Sequence, residues 1–308
     1  MQTTSNILLV RPANFAFNPE TALTNTFQNE IKTEDIESVK RHAIEEFDLF
    51  AETLESKGVT VFIINDTPSP VKPDAIFPNN WITFHADGTI ILYPMCTENR
   101  RLERRNDVID LVRKTFKITE KLDLSEYEKE NKFLEGTGSI VFDHINKFAY
   151  ACLSLRTNKE LFIKVCERLQ YQPVCFNASD KNGHEIYHTN VMLCIGQKFA
   201  VVCLESVANP QEKAYVNKLL TETGHSVIDI TFEQMNSFAG NMLEIHTKEN
   251  KSIVVLSQSS FDSLTETQKS EISNYSELVP VSIKTIETIG GGSARCMMAE
   301  IFLEPINN

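Results

Sequence analysis

The chain has 308 residues, is 42% apolar, and carries a formal net charge of −12, with a sequence pI near 5.1. That balance disfavours binding to a nucleic-acid backbone, which is itself anionic, while the apolar fraction supports a large core. Seven cysteines are scattered without a C-x-x-C pair or finger-type spacing, which reads as reduced thiols in a cytoplasmic protein with no metal site. The start lacks the cationic region of a signal peptide, and no apolar run approaches membrane-spanning length.

Ile7 to Val10 reads as a short buried strand ended by Arg11-Pro12. From Glu34 to Lys57, Ile36, Val39, Ile44, Phe47, Phe50 and Leu54 recur at helical spacing, and Gly58 stops the helix. Val59 to Ile64 is a second buried strand. Asp74 to Asn80 then leads into Trp81 to Phe84. The Asp87-Gly88 turn returns the chain through Ile90 to Tyr93, and Thr97 to Phe116 is helical.

This unit recurs. Glu135-Gly-Thr-Gly-Ser139 leads into Ile140 to Phe142, with a return strand from Phe148 to Leu155 and a helix from Asn158 to Leu169. His188-Thr-Asn190 leads into Val191 to Leu193, with a return from Phe199 to Leu204 and a helix from Pro210 to Thr223. Phe238-Ala-Gly-Asn241 leads into Met242 to Ile245, with a return from Ile253 to Leu256 and a helix from Leu264 to Ser273. Finally Gly290-Gly-Gly-Ser-Ala-Arg-Cys296 leads into a strand pattern from Met297 to Leu303. The lead-in positions Asn80, Ser139, Asn190, Asn241 and roughly Ala294 fall about 50 to 60 residues apart. The fifth unit lacks its own return strand and helix. The N-terminal strand and the helix after it can supply both and close a ring. One domain over 1–308 is therefore expected: a five-fold ring of ββα units whose lead-in loops all face a central channel.

Three of those loops carry reactive groups. Cys296 lies among glycines and beside Arg295, where backbone can approach a ligand and a cation can favour a thiolate. His188 can move protons and Glu135 can hold a substrate. Alone, the cysteine reads equally well as a buried thiol, and the histidine and glutamate read more readily as a satisfied histidine and a turn carboxylate. Their shared position in the repeat is what groups them.

The motifs Phe77-Pro-Asn-Asn80, Asn99-Arg-Arg-Leu-Glu103, Leu134-Glu-Gly-Thr-Gly138, Leu155-Arg-Thr157, His188-Thr-Asn190 and Gly291-Gly-Ser-Ala-Arg-Cys296 resemble the guanidine-modifying (pentein) superfamily of arginine deiminases, dimethylarginine hydrolases and amidinotransferases. The branch most resembled is the citrulline utilisation hydrolases, or citrulline ureidases. The resemblance spans nearly the whole chain. It implies a five-fold α/β propeller, Cys296 as nucleophile, His188 as proton shuttle and Glu135 as the carboxylate on the substrate's terminal nitrogen. It also implies Arg156, with Arg100 or Arg101, on a substrate carboxylate.

Relatives that grip a guanidinium cation carry aspartates where this chain has Asn80 and Asn190, and often where it has Ser139. Buried carboxylates beside a neutral ureido group would go uncompensated, whereas an amide offers both a donor and an acceptor. The departures point to citrulline, split to ornithine, carbon dioxide and ammonia with no cofactor and no metal. Rival readings are a deiminase, dimethylarginine hydrolase or amidinotransferase, or a non-catalytic amino-acid-binding member of the fold. The expected partner is a small-molecule substrate, with no nucleic acid, no membrane, and a homo-oligomer left open.

Overall fold

The computed structural model describes residues 1–30 and 35–306. It contains five three-stranded sheets, each an antiparallel pair extended on its outer side by a parallel strand. In the first unit Ile82–Phe84 pairs antiparallel with Thr89–Leu92, which pairs parallel with Glu120–Asp123. The second, third and fourth units repeat this with Val141–Asp143, Phe148–Cys152 and Gln172–Phe176, with Leu193–Ile195, Phe199–Val202 and Ser226–Asp229, and with Leu243–His246, Ser252–Ser257 and Glu277–Val281. A crossover helix feeds each parallel strand, as a parallel connection requires: Asn106–Arg113, Lys159–Leu169, Pro210–Glu222 and Glu266–Ser273.

The unit is thus ββαβ rather than the expected ββα. The third strands escape a pattern search because they are short outer strands, and some are largely solvated: Glu120, Lys121 and Asp123 are exposed.

The fifth sheet closes the ring as expected. Ala299–Glu300 pairs antiparallel with the N-terminal strand Asn6–Arg11, through Ile7 opposite Glu300 and Leu8 opposite Ala299. That strand pairs parallel with Thr60–Asn65, after the helix Ile36–Ser56. The expected helix start at Glu34 lies outside the described residues. Phe84 bridges Ile301 between the first and fifth sheets, and the His246 N–H donates to Thr4 O between the fourth and fifth.

Two further expectations change. The helix expected over Thr97 to Phe116 is broken into Glu98–Arg101 and Asn106–Arg113. Arg105 between them is extended, with its guanidinium on Asp66 and Asp107. The strand expected from Met297 shrinks to Ala299–Glu300, because Ser293 to Met298 turn tightly, with the Cys296 N–H on Ser293 O. Among the described residues no helix is long and apolar enough to cross a membrane, and no group of three or more His, Cys, Asp or Glu side chains could hold a metal ion.

Candidate active site

The lead-in loops of the first three units, the Gly290–Cys296 loop and the strap Thr21–Gln28 meet at one end of the inner strands. They border a small cavity lined by Thr21, Asp74, Asn80, Arg100, Arg156, Tyr187, His188 and Cys296, among others. Cys296 is buried, 4% exposed, not accessible as its flanking glycines suggest. The Nδ2 atoms of Asn241 and Asn190 lie 3.3 and 3.5 Å from its Sγ. Arg295 turns away from the sulfur: it donates to Met298 O at 2.9 Å and pairs with Glu300 at 2.7 Å. It cannot be the cation of a thiolate pair.

His188 and Glu135 form one unit. His188 Nε2 lies 2.8 Å from Glu135 Oε2. Burial alone would raise the Glu135 pKa, but the charge of Arg156, the His188 hydrogen bond and the charge of Arg100 outweigh it and hold the carboxyl well below its usual range. Burial brings the His188 pKa down to about 4 against the pull of Glu135. At neutral pH the imidazole is therefore neutral. Its Nε2–H is directed to the ionised carboxylate, leaving Nδ1 as the acceptor for a proton in transit. That edge abuts Gly138, where a Cβ would come within 2.7 Å of His188 Nδ1 and 2.5 Å of Asn80 Nδ2. Only glycine leaves both groups in place. The other oxygen of Glu135 accepts from the Cys96 N–H at 2.9 Å. Each oxygen of Glu135 thus has a partner, His188 on one and the Cys96 N–H on the other.

The two arginines facing the cavity differ. Arg156 is 2% exposed and donates to Thr21 O at 2.9 Å and to Thr24 Oγ1 at 2.5 Å on the strap. Arg100 is held by both oxygens of Glu103 at 2.9 Å and donates to Asn80 Oδ1 at 2.8 Å. Glu103 itself is pushed by burial up to about 7, against the opposing pull of Arg100. Arg101 lies outside the cavity, with its guanidinium on Met95 O and Cys96 O. Ser139 is also outside: its hydroxyl accepts from the Glu135 N–H and Thr157 and donates to Arg156 O. It braces two loops and is not free to meet a ligand.

Several buried polar atoms here have no partner: Asn80 Nδ2, Asn190 Oδ1 and Asp74 Oδ1. Arg100 can only donate, so Asn80 must point its oxygen at Arg100 and present its NH2 as the free group. Asn190 directs its NH2 to the sulfur, and its oxygen remains. Asn80 and Asp74 line the cavity, and Asn190 packs beside the Cys296 sulfur. Burial raises the pKa of Asp74, and Arg100, Asn18 and Thr21 oppose the rise. Asp74 and Asn241 are the residues that sequence reasoning missed. Asn241 could have been found as the repeat equivalent of Asn80 and Asn190. Asp74 carries no signal of its own in the sequence.

The profile of a protein family described as N,N dimethylarginine dimethylhydrolase, eukaryotic, matches residues 11–303. No curated protein matches the chain. Among solved structures, the fold is similar to the apo form of ArgZ, an arginine dihydrolase of the cyanobacterial ornithine-ammonia cycle (TM-score 0.75, 15% identity). That match covers 98% of this chain but 41% of ArgZ, so the chain spans less than half of that protein's length. It is similar to the N-terminal domain of ArgZ, in a cysteine-to-serine mutant bound to substrate, over 97% of this chain and 99% of that one (TM-score 0.73, 14% identity). It is also similar to a histidine-to-glycine mutant of dimethylarginine dimethylaminohydrolase in its adduct with S-methyl-L-thiocitrulline, over 97% of this chain and 100% of that one (TM-score 0.64, 14% identity).

Proposed function

We propose that this chain, which belongs to the N,N-dimethylarginine dimethylhydrolase family and so to the guanidino-modifying pentein superfamily, is a cysteine-dependent hydrolase of the ureido C–N bond of citrulline. The observation that carries the substrate reading is the pair of unpartnered amide atoms, Asn80 Nδ2 and Asn190 Oδ1. A ureido group has an oxygen to accept from the first and N–H groups to donate to the second. A guanidinium has no acceptor for Asn80 and would lie near the Arg100 cation. The free oxygen of Asp74 suits the α-ammonium of an amino acid, and Arg156 suits its α-carboxylate. Arg156 donates to Thr21 and Thr24, so the substrate takes over donors that hold the strap.

In this reading Cys296 Sγ adds to the ureido carbon and its proton passes to His188 Nδ1. The imidazolium, stabilised by Glu135, gives that proton to the departing Nδ of ornithine as the C–N bond breaks. An S-carbamoyl enzyme remains. His188 then takes a proton from water, the hydroxyl adds to the carbonyl, and Cys296 leaves. The carbamate released breaks down to carbon dioxide and ammonia. Every step is general acid–base and nucleophilic chemistry supplied by side chains at hand.

A second reading has arginine as substrate, hydrolysed at both C–N bonds. It is favoured by similarity to proteins whose structures are described as arginine dihydrolases. Mass spectrometry of enzyme quenched with each amino acid separates the two. Citrulline should leave a carbamoyl mass on the peptide containing Cys296, and arginine should leave none. An amidino adduct from arginine, with nothing from citrulline, overturns the first reading.

A further inference from the structure

We infer that Asn241 is a positioning residue for the reaction: its side-chain amide holds the sulfur of Cys296 in the attacking orientation and offers it a hydrogen-bond donor. This deepens the cysteine-hydrolase reading and rests on it.

Asn241 is completely buried and has no task in a sheet or a helix cap. Its Nδ2 is shared between Asn190 O at 3.0 Å and Cys296 Sγ at 3.3 Å. Its Oδ1 lies 3.6 Å from the same sulfur. One amide thus meets the thiol with a donor and an acceptor. The acceptor can take the S–H of the resting thiol, and the donor can serve the sulfur once that proton has left. Asn190 Nδ2 approaches Sγ at 3.5 Å, so two amides and no cation surround the atom, Arg295 being spent on Met298 and Glu300.

The loop geometry serves this placement. Phe238 takes a left-handed conformation, φ 62°, which turns the chain before the Asn241 N–H bonds Phe238 O at 2.8 Å. A Cβ on Gly240 would come within 2.4 Å of Val191 O. The absence of a side chain at 240 therefore lets the fourth lead-in loop lie directly on the third and bring Asn241 to the sulfur. The amide contact with Asn190 O also ties Asn241 to the loop that carries His188, so one side chain spans the candidate nucleophile and the candidate base.

The test is the rate at which iodoacetamide alkylates Cys296, followed by mass spectrometry of its peptide from pH 5 to 10, in wild type and in Asn241→Ala, Asn241→Ser and Asn241→Asp. Thermal unfolding of each variant is measured in parallel. Replacing the donor by a carboxylate oxygen opposes negative charge on the sulfur. We expect Asn241→Asp to slow alkylation at pH 7 by roughly tenfold and to shift its pH dependence to the alkaline side. Asn241→Ala should do so less, and Asn241→Ser should recover part of the wild-type rate. A role in packing alone would lower the melting temperature in all three and leave the pH dependence of alkylation unmoved, which would overturn the inference. Because the probe is not a substrate, a wild type that fails on citrulline while showing these shifts refutes the substrate reading and leaves Asn241 in its role.

Discussion

The inner strands of the ring have two ends, and they treat buried polar groups in opposite ways. At the end reached by the hairpin turns, Gln2, Glu244, Arg295 and Glu300 line a small cavity, and each is engaged. Gln2 donates to Phe142 O and Ile195 O and accepts from the His144 N–H. Glu244 accepts from Ser252, Ser276 and the Gln197 N–H. Arg295 pairs with Glu300. At the end reached by the lead-in loops, Asn80, Asn190 and Asp74 each keep one buried atom without a partner. Buried polar atoms are ordinarily satisfied. The difference separates a satisfied polar network from one that keeps open hydrogen-bonding positions.

The largest effect should follow removal of the candidate nucleophile. Cys296→Ser should lower kcat on citrulline by a thousandfold or more, on the order of other nucleophile losses. The ring should remain folded, since the hydroxyl nearly matches the thiol in volume. Circular dichroism and a steady-state assay check both halves, and residual turnover within tenfold of wild type would refute the nucleophile.

Next is Arg156→Ala. Its guanidinium serves a proposed substrate carboxylate, the strap and Glu135, so KM should rise by an amount equivalent to a few kcal/mol. A KM unchanged for any α-amino acid would show that Arg156 only holds the strap shut.

Asn80→Asp replaces the free donor by an acceptor while keeping a partner for Arg100. Loss of one hydrogen bond to a buried polar atom is worth about 1–3 kcal/mol. Citrulline kcat/KM should therefore fall by roughly ten- to a hundredfold, with arginine affinity rising. Unchanged discrimination between the two would remove Asn80 as a selector.

The smallest effect concerns the opposite end. His144 is half-buried, with its pKa held well below 6.5, first by desolvation and then by nearby positive charge. The unfolded chain takes up a proton as pH falls through about 6.5 while folded His144 does not, so its contribution to stability is intact above that value and is lost on acidification. His85 and His188, both lowered to about 4, act in the same sense. His144→Phe should flatten part of the decline in melting temperature between pH 6.5 and 5 and leave kcat at pH 7 unchanged. A variant that alters citrulline turnover instead would break the division between the two ends.

The sequence made some of this legible and hid the rest for physical reasons. The lead-in loops stand out because glycine, asparagine and the reactive side chains interrupt apolar strands at a repeating interval. Ring closure follows from the fifth unit's missing partners and is seen in the pairing of Ile7 with Glu300. The direction of a long side chain is not written in its neighbours. Arg295 stands beside Cys296 in sequence yet points to Glu300, and Arg100 rather than Arg101 enters the cavity because Glu103, one turn on, receives it. Glu135 shows in its motif as a substrate carboxylate, and only the structure shows its neighbours, His188 and the Cys96 N–H.

The central claim is that one free amide donor and one free amide acceptor select a neutral ureido group. Isothermal titration of the Cys296→Ser protein with citrulline and with arginine at pH 7.5 tests it most directly, because binding is read without turnover. The account predicts that citrulline binds at least tenfold more tightly than arginine; tighter binding of arginine would contradict it.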